Sequence, residues 1–391
     1  MAGVWVCGGL LFRILEEERD PTEPEGGWPA VTILVPAYNE EGVIAANVHA
    51  ARALDYPELQ IVVLDDGSTD ATVEAATAAA EDDARVVVVR DPVNRGKAER
   101  LNLGLAQART ELVIVTDADA HLHPLAVKFL VARITRSPRI AAVAGAPHVT
   151  NRRSFLSALQ SLEAASIIGL TRRTQSLSGH TRIVAGVLGI FRRKAVLAVG
   201  GYDGRMATED IDLTWRLLIA GWHTLYEPNA LIGMQVPTTL TGLWKQRCRW
   251  ARGQGEVLHE HFWQILSPRL WRIWSVGIET FLSLAWVVGL VLGAIATVLA
   301  FAVDRPTAFS LGLALAWGMG ITVVCLLQLT FAVGLQARYD RPSLLVFLLG
   351  PLYPLGYWAI SAAAALWAEL PAIVRGPREE RVVWDLPRQP V

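Results

Sequence analysis

The stretch VTILVPAYNE, residues 31–40, begins a regular alternation of short apolar runs and helical segments. Further apolar runs follow at 60–65 (QIVVLD), 85–89 (RVVVV) and 112–117 (LVIVTD), and the segments at 41–54, 70–83 and 97–109 have helical periodicity. Short, continuous apolar runs of this kind are typical of buried parallel strands. The alternation predicts an α/β fold with a doubly wound sheet, in which these four runs are strands.

Polar groups follow each of the four predicted strands. They are PAYNE at 36–40, DGS at 66–68, NRGK at 94–97 and DAD at 117–119. In a doubly wound sheet, ligands bind outside the carboxyl ends of the strands, so we expect the four loops to meet at one site. The first loop is not G-x-G-x-x-G and no Walker A motif is present, which argues against a dinucleotide-binding or P-loop protein.

The DAD tripeptide places two carboxylates, Asp117 and Asp119, directly after a strand. Oxygen ligands in this spacing suit a hard divalent cation, Mg²⁺ or Mn²⁺, and such an ion suits a diphosphate. A solvated loop with helix-capping aspartates has the same sequence, so the tripeptide alone leaves both interpretations open. The three cysteines are far apart and match neither a zinc site nor a disulfide framework.

A second acidic segment opens the helical pattern MATEDIDLTWRLLIAGW at 206–222. Thr208 stands where a helix N-cap belongs, and Gly221 is a plausible stop. Glu209 and Asp210 would then either complement the helix dipole or place Asp210 in the cleft as a general base. Asp212 falls near the opposite face and is expected to be structural.

A basic and aromatic segment, KQRCRWAR at 245–252, precedes the most apolar part of the chain, which begins at residue 281. It is typical of an interfacial amphipathic helix that binds anionic lipids, and equally of a site for an anionic group of a substrate. The net charge of −1 gives no wider basic surface, so no nucleic-acid partner is expected.

The hydrophobic residues, 52% of the chain, are concentrated in the last third. Residues 281–303, 306–337 and 342–368 contain no charged side chain, and a spanning helix needs about 20 residues. We therefore expect about three transmembrane segments within 275–370, followed by a charged tail at 371–391. At the other end, 1–12 is too short to span and predicts an interfacial anchor or the end of a longer helix. An exposed acidic linker is expected from there to residue 30.

Six motifs occur in a fixed order: VPAYNE at 35–40, DDGS at 65–68, RGK at 95–97, DAD at 117–119, TED at 208–210 and Q-x-x-R-W at 246–250. In this combination the chain resembles the processive family 2 glycosyltransferases, which include the synthases of cellulose, chitin, hyaluronan and poly-N-acetylglucosamine. The segments TEDIDLTWRL and GLWKQRCRWARGQGEV are most similar to those of bacterial poly-β-1,6-N-acetylglucosamine synthases. The resemblance covers residues 31–274 and implies a nucleotide-sugar-binding domain of the GT-A type.

The resemblance also implies a role for each matching residue. The nucleotide sugar would be bound by Pro36, Tyr38, Glu40, Asp66, Lys97, Asp117, Gln246 and Arg249. The metal ion would be held by Asp117 and Asp119, the catalytic base would be Asp210, and the acceptor would contact Trp250 and Glu209. On this basis the anion that the basic segment meets is the diphosphate of the donor.

The implied protein is an inverting, metal-dependent enzyme that polymerises a UDP-sugar, with UDP-N-acetylglucosamine favoured, and exports a polysaccharide of the kind found in biofilms. Residues 31–237 would form a cytoplasmic catalytic domain, 238–274 interfacial helices, and the rest a multi-pass anchor in the inner (plasma) membrane. Its partners would be the growing polysaccharide, the lipid bilayer and a small accessory membrane subunit.

Four alternatives remain open at this point. A synthase of the cellulose, chitin or hyaluronan type would share the motifs, and a non-processive glycolipid glycosyltransferase would share most of them. A phosphotransferase with Asp117 as nucleophile would have no use for the segment from Gln246 to Trp250. A non-catalytic transport subunit would have no reason to keep the acids at 66, 117, 119 and 210.

Overall fold

The computed structural model of the chain describes residues 2–303, 308–339, 359–380 and 382. One mixed sheet of eight strands forms its centre. The strands are β1 Val31–Ala37, β2 Leu59–Asp66, β3 Val86–Asp91, β4 Leu112–Thr116, β5 His121–Leu122, β6 Ile140–Val149, β7 Leu188–Arg192 and β8 His223–Met234.

Helices precede, connect and follow these strands. They are α1 Ala2–Leu15, α2 Ile44–Arg52, α3 Thr72–Ala80, α4 Lys97–Gln107, α5 Ala126–Thr135, α6 Phe155–Glu163, α7 Leu170–Leu177, α8 Arg193–Ala198, α9 Glu209–Ile219, α10 Leu240–Ile265, α11 Trp274–Val303, α12 Ala308–Gln336, α13 Ala359–Ala364 and α14 Leu370–Arg375. Two π-helical turns, Ala164–Gly169 and Ala365–Glu369, join α6 to α7 and α13 to α14, and a 3₁₀ segment, Pro268–Ile273, precedes α11.

The first four strands form the parallel half of the sheet, in the order β3-β2-β1-β4. All four predicted strands are confirmed, with ends that shift by one or two residues. The chain runs outward from β1 to β2 and β3, and then returns past β1 to β4 on its other side. Because the strand order reverses there, a crevice opens between the carboxyl ends of β1 and β4, where doubly wound proteins bind their ligands.

The other half of the sheet departs from the parallel pattern. β7 pairs antiparallel with both β4 and β6, whereas β6 and β8 run parallel to each other. None of these three strands is among the four predicted above. The doubly wound prediction therefore describes the first half of the domain, and the second half extends the same sheet with mixed strand directions.

Alternate side chains of the strands pack on opposite faces of the sheet. Ile33 lies in the core under α2, α3 and α5, and its neighbour Leu34 lies in the core under α4, α8 and α9. Both residues are essentially inaccessible to solvent. A sheet covered on both faces keeps its strands rigid, so the loops at its carboxyl edge have fixed starting points.

The acidic segment after α1 is exposed at residues 18–20, 22, 23, 25 and 26, as the sequence predicts, but its first acids contact the folded domain. Glu17 and its partner Arg173 are each 1% exposed, and Nε of Arg173 lies 3.1 Å from Oε2 of Glu17. Glu16 contacts the guanidinium groups of Arg133 and Arg136 at 2.8 and 3.0 Å. The prediction of exposure fails for Glu17, because its carboxylate meets Arg173 of α7, which is distant in sequence. Helix α1 itself packs on α7 and α12.

One helical segment of the described residues, Pro268–Leu299, is long and apolar enough to cross a membrane. Within the apolar run at 306–337, Ala308–Gln336 form α12, whose described part is not counted among such segments. The run at 342–368 lies mostly outside the described residues, as does the tail from 383 onwards. The beginning of the predicted tail, up to Arg375, is helical in α14 and packs on α10, where a Cβ on Gly255 would lie 2.8 Å from Ala372.

Candidate active site

The two carboxylates of the DAD turn stand at the carboxyl end of β4, at the crevice. Asn47 from α2 fixes this turn, because its Nδ2 group donates to the carbonyl oxygens of Asp117 and Ala120 at 3.0 and 2.6 Å. Asn47 is fully buried, whereas Asp117 and Asp119 are partly exposed. The fold therefore presents both carboxylates to the crevice from a turn that is held from behind.

Lys97 connects the acids of separate loops. It is the first residue of α4, and its Nζ lies 2.7 Å from Oδ1 of Asp117 and 3.3 Å from Oε1 of Glu209. Burial on its own would lower the pKa of Lys97, but the carboxylates of Asp117, Glu209 and Asp210 outweigh it and raise that pKa above its ordinary value. The ammonium group therefore stays charged and holds together the ends of β4 and α9.

Asp210 is held by two backbone N–H groups. The N–H of Gly186 donates to Oδ2 and the N–H of Ile211 donates to Oδ1, both at 2.9 Å. Burial, followed by the negative charge of Glu209, raises the pKa of Asp210, while Lys97 and the two N–H groups act in the opposite direction. A carboxylate with a raised pKa and a fixed orientation is suited to accept a proton.

Gly186 has the close approach for which a glycine is required. A Cβ at this position would lie 2.8 Å from Nζ of Lys97 and 3.9 Å from Oδ2 of Asp210. Gly200 and Gly201 lie in the turn after α8, where their positive φ angles of 89° and 74° favour glycine.

Gly186→Ala is expected to lower turnover at least tenfold, equivalent to about 1.4 kcal/mol of transition-state stabilisation, by displacing Lys97. The added methyl group meets the flexible end of a side chain rather than backbone, so the melting temperature should not fall. Steady-state kinetics and thermal unfolding check both parts. Gly42→Ala is the control, because a Cβ at the exposed Gly42 meets nothing within 4 Å. Equal turnover of Gly186→Ala and Gly42→Ala would contradict the placement of Gly186 and Lys97 at the active site.

The loop after β1 forms the other wall of the crevice. Pro36 lies within the strand, in register with Leu64 of β2, and Tyr38 and Glu40 follow it. Glu40 is 4% exposed, and its backbone N–H donates to Oγ1 of Thr72 at 2.7 Å. These three residues are thus at the carboxyl end of β1, beside the DAD turn, as the topology predicts.

Asp66 lies behind the crevice rather than on its surface. Its side chain is fully buried, and its oxygens accept the backbone N–H groups of Arg95 and Gly96 at 2.9 and 2.7 Å. Nε of Arg100 is 2.9 Å from Oδ1. Burial raises the pKa of Asp66, and these donors counteract that effect. In this arrangement Asp66 supports the loop that leads into Lys97, and its direct contact with a nucleotide stays a prediction.

Helix α10 brings the Q-x-x-R-W motif towards the same acids. Gly253 of α10 packs on Thr208, where a Cβ would lie 2.0 Å from the threonine Oγ1. Because Thr208 directly precedes Glu209, the motif lies within about two helical turns of the acidic cluster. Gln246 is half-buried, Arg249 is exposed and Trp250 is 38% exposed.

More than half of the chain matches a known protein family. The family described as "Glycosyltransferase like family 2" matches residues 29–253, more than half of the chain. The chain belongs to glycosyltransferase family 2. Its sheet, crevice and acidic loops are those of a GT-A-type glycosyltransferase, and the alternative of a phosphotransferase is set aside.

Relatives of this family 2 glycosyltransferase extend over nearly its whole length. The poly-β-1,6-N-acetyl-D-glucosamine synthase of Staphylococcus epidermidis is 31% identical over 402 residues, covering 99% of this chain and 95% of its own. The protein of the same name from Staphylococcus aureus strain MSSA476 is 33% identical over 398 residues with the same coverage. Among solved structures, the mannosyltransferase PcManGT from Pyrobaculum calidifontis, in complex with GDP-Man and Mn²⁺, has a TM-score of 0.66 and 22% identity. It covers 95% of this chain and 98% of its own, and shows the fold alone.

The predicted N-cap of α9 in this glycosyltransferase is right in position and wrong in detail. The helix begins at Glu209, as expected after Thr208, but the Thr208 hydroxyl makes no capping hydrogen bond. It is 6% exposed and packs on Gly253 of α10, which orients it away from the helix end. The carboxylate of Glu256, also on α10, accepts the N–H of Ala207 at 2.7 Å instead.

Arg247 is a residue of the basic segment whose role the sequence does not reveal. Its Nη1 and Nη2 atoms lie 2.8 and 2.6 Å from the two carboxylate oxygens of Glu163, at the end of α6. Its guanidinium lies 4.5 Å from the ring centroid of Trp250. Arg247 is 9% exposed, so this part of the segment faces the protein, not a lipid headgroup. The pairing joins residues 84 positions apart, and no local pattern announces it.

Asp212 is structural, as expected. It is 1% exposed, and its Oδ1 is 2.7 Å from Nε2 of His261, while Oδ2 accepts from Nη2 of Arg216 at 2.6 Å. The contact with His261 ties α9 to α10, and the contact with Arg216 lies within α9.

The described residues contain no cluster of three or more His, Cys, Asp or Glu side chains that could hold a metal ion. Asp117 and Asp119 nevertheless form a set of hard oxygen donors on a fixed, partly exposed turn. Mg²⁺ and Mn²⁺ accept few protein carboxylates when substrate phosphates and water supply the remaining ligands. The donor chemistry therefore fits an ion that binds together with a diphosphate.

Proposed function

We propose that the protein is a membrane-bound, inverting glycosyltransferase that polymerises a β-linked polysaccharide from a UDP-sugar, with UDP-N-acetylglucosamine as the donor and poly-β-1,6-N-acetylglucosamine as the product. The observation that carries this proposal is the position of Asp210. Its carboxylate is oriented by Gly186 and lies beside Lys97, which contacts Asp117 across the crevice. The names of the relatives that match nearly the whole chain support the donor and product.

The proposed reaction is a single displacement. Asp210 accepts the proton of the acceptor hydroxyl, whose oxygen forms a bond to the anomeric carbon of the donor sugar. The bond from that carbon to the diphosphate oxygen breaks on the opposite side, and UDP departs with the electron pair. Lys97 supplies a positive charge beside the developing charge on the phosphate. Asp210 returns its proton to solvent before the next cycle.

A divalent cation would be held by Asp117 and Asp119. When bound, it would supply Lewis-acid stabilisation of the diphosphate leaving group. Of the two, Asp117 also pairs with Lys97, whose Nζ lies 2.7 Å from its Oδ1. Mg²⁺ and Mn²⁺ both suit oxygen donors, so either ion fits this set.

Helix α10 would carry the remaining substrate contacts. Trp250, partly exposed and backed by Arg247, offers an aromatic face on which an acceptor sugar ring can pack. Gln246 and the exposed Arg249 would approach the diphosphate, since a planar guanidinium binds phosphate oxygens in pairs. Glu209, next to the base, and the loop from Pro36 to Glu40 would complete the acceptor and nucleotide sides. Asp66 would act on the nucleotide side by supporting the loop that leads into Lys97.

The proposed location is the inner membrane, with the catalytic domain in the cytoplasm where UDP-sugars are made. The segment Pro268–Leu299 supports insertion, and the exposed Trp263 and Trp271 near its start suit the membrane–water interface. Further spanning helices from the other apolar runs, an exit path for the polymer and a small accessory membrane subunit belong to the same proposal.

The pH profile of turnover should reflect the raised pKa of Asp210. The base must be ionised to accept a proton, so kcat/KM is expected to fall as pH drops through that pKa, which lies above the ordinary aspartate range. Glu209→Gln removes a negative charge that raises this pKa and should move the acid limb to lower pH. Lys97 acts on Asp210 with the opposite sign and is unchanged in this variant. A limb that does not move with Glu209→Gln would contradict the assignment of Asp210 as the titrating base.

Release of the nucleoside diphosphate (UDP from a UDP-sugar, GDP from GDP-mannose) by the purified protein in lipid nanodiscs, with Mg²⁺ or Mn²⁺, tests the donor. A panel of UDP-sugars and GDP-mannose is compared, and the proposal predicts fastest release from UDP-N-acetylglucosamine. Faster release from another nucleotide sugar would keep the mechanism and reject this donor. The absence of release with every donor would reject the proposed function.

A further inference from the structure

The apolar helix α11 contacts the rest of the protein through an acidic side chain. Glu279 is the only acidic residue in the sequence from 268 to 299, and its side chain is 13% exposed. Its Oε2 accepts from Nε2 of Gln175 at 2.9 Å and lies 3.4 Å from Nε of Arg182. A charged group on an apolar helix is costly to bury, and such residues commonly mark functional contacts. The partners of Glu279 therefore show what this helix is connected to.

Arg182 is held by α11 and α7 at several atoms. Its Nη1 donates to Oγ1 of Thr280 at 2.8 Å, and that hydroxyl donates in turn to the carbonyl oxygen of Val276 at 2.9 Å. The backbone N–H of Arg182 donates to Oε1 of Gln175 at 3.3 Å, so this glutamine contacts both Arg182 and Glu279. These contacts fix the side chain and the backbone of Arg182 on the first two turns of α11.

Only three residues separate Arg182 from Gly186, whose N–H orients Asp210. Between them, the N–H of Val184 donates to Oγ1 of Thr214 of α9 at 3.1 Å, and the N–H of Gly186 donates to Oδ2 of Asp210 at 2.9 Å. The segment from Arg182 to Gly186 is thus held by α11 at its start and by α9 at its middle and end. Even fully extended it spans at most about 14 Å, so a displacement of its first residue reaches its last.

An apolar cluster makes the same connection. Ile183 packs against a cluster that contains Ile211 of α9 and Val276 of α11. The N–H of Ile211 is the second donor to the Asp210 carboxylate, at 2.9 Å. Both N–H groups that hold Asp210 therefore come from segments that pack together with the start of α11.

We propose that Arg182 and Glu279 are positioning residues for Asp210. The pair fixes the start of the segment that ends in Gly186, and it thereby couples the catalytic base to the helix that is proposed to enter the membrane. Both side chains act through Gly186 rather than on the reacting atoms. A pair that only stabilised the fold would affect unfolding and leave turnover unchanged. The inference rests on the proposed function of Asp210.

Arg182→Met and Glu279→Gln test the proposal in the nanodisc-embedded protein, assayed well below the melting temperature of each variant. Each removes one partner of the pair. We expect kcat to fall by about tenfold, because a small misplacement at the catalytic centre is costly, while Val184 keeps part of the segment in place. The KM for the UDP-sugar should stay within about twofold, since the predicted nucleotide contacts come from other loops and from α10.

Two further variants separate positioning from simple loss of a side chain. Arg182→Lys keeps a cation beside Glu279 and should retain more turnover than Arg182→Met. The double variant Arg182→Met with Glu279→Gln should be no slower than the slower single variant, because the two side chains act as one unit. A double variant in which the two losses multiply would overturn the proposal.

Arg52→Met is the matched control. Nε of Arg52 lies 3.4 Å from Oδ2 of Asp83, and the two side chains are 22% and 15% exposed, against 21% and 13% for Arg182 and Glu279. Arg52 ends α2 beside the start of β3, where Nη2 of Arg85 donates to its carbonyl oxygen at 3.0 Å, at the edge of the sheet opposite the crevice. Its methionine variant should lower the melting temperature and leave kcat unchanged.

A lower melting temperature of Arg182→Met with unchanged kcat would make the pair structural only and would overturn the proposal. So would an equal loss of kcat in Arg52→Met. If Arg182→Met does not fold, Glu279→Gln still reports, because the amide has the shape of the carboxylate, and an unchanged kcat in that folded variant would count against the proposal. Failure of the proposed function is seen separately, as a wild-type protein that releases no nucleoside diphosphate from any donor.

Discussion

Asp210→Asn is expected to abolish sugar transfer while UDP binds as tightly as before. The amide has the shape of the carboxylate, and its oxygen can still accept the N–H of Gly186. It cannot accept the proton of the attacking hydroxyl, and loss of a general base typically costs about 10² to 10⁴ in rate. The rate of UDP release and the Kd of UDP from calorimetry measure the two effects on the same preparation.

The control for this variant is Asp203→Asn. Asp203 pairs with Arg205 in the loop before α9, and its carboxylate has no part in the proposed chemistry. Its amide variant should keep full turnover. If Asp210→Asn retained a substantial fraction of wild-type turnover, Asp210 would not be the base, and the acids at the crevice would need another division of roles.

Asp119→Ala is expected to weaken UDP binding by about tenfold or more in the presence of Mg²⁺ or Mn²⁺, since a hard cation loses one of its two protein carboxylates. In EDTA, wild type and variant should bind UDP equally, because the remaining nucleotide contacts do not involve this side chain. Calorimetric titration under both conditions separates the two contributions.

A surface variant, Asp55→Ala, controls for the simple loss of one negative charge. Asp55 pairs with Lys128 and is 62% exposed at the side chain, far along the chain from the DAD turn. Its UDP affinity should match wild type with and without the ion. Equal affinity of Asp119→Ala and wild type in Mn²⁺ would remove Asp119 from the metal site.

The strands and the acids of the crevice could be predicted because each depends on local pattern plus one topological rule. The run at 31–35 is continuous and β-branched, which marks a buried strand wherever it is placed. Parallel strands then bring their carboxyl ends to one edge, so Asp117 and Lys97 could be assigned to one site before any contact was known. The observed 2.7 Å contact between them agrees with that expectation.

The supporting contacts could not be predicted, because they join distant residues through geometry that no short segment encodes. Arg247 meets Glu163 across 84 positions, and Arg173 meets Glu17 across 156. The acids after α1 have the composition of a solvated linker, and the side chain of Glu17 becomes buried only because α7 supplies Arg173. Asn47 has no sequence signal beyond a polar side chain on the buried face of a helix, yet it holds the DAD turn.

The basic segment that suggested a lipid or substrate anion contains one arginine that is paired within the protein and one that is exposed. Arg247 points inward to Glu163 and Trp250, while Arg249, two residues further along α10, is exposed. Residues two positions apart lie on nearly opposite sides of a helix, but the sequence alone does not show which side meets the protein. The partner that α6 supplies, Glu163, fixes Arg247 inward, and the contact of Arg249 with the substrate stays a prediction.

The central claim, that this family 2 glycosyltransferase builds a polymer of N-acetylglucosamine, is tested most directly by the product. Purified protein in nanodiscs is given radiolabelled UDP-N-acetylglucosamine with Mg²⁺ or Mn²⁺, and the product is sized on a gel and digested with linkage-specific hexosaminidases. We predict a high-molecular-weight product that is formed by wild type, not by Asp210→Asn, and degraded by a β-1,6-specific enzyme. Transfer of single sugars to a lipid, or a polymer that resists this enzyme, would contradict the account.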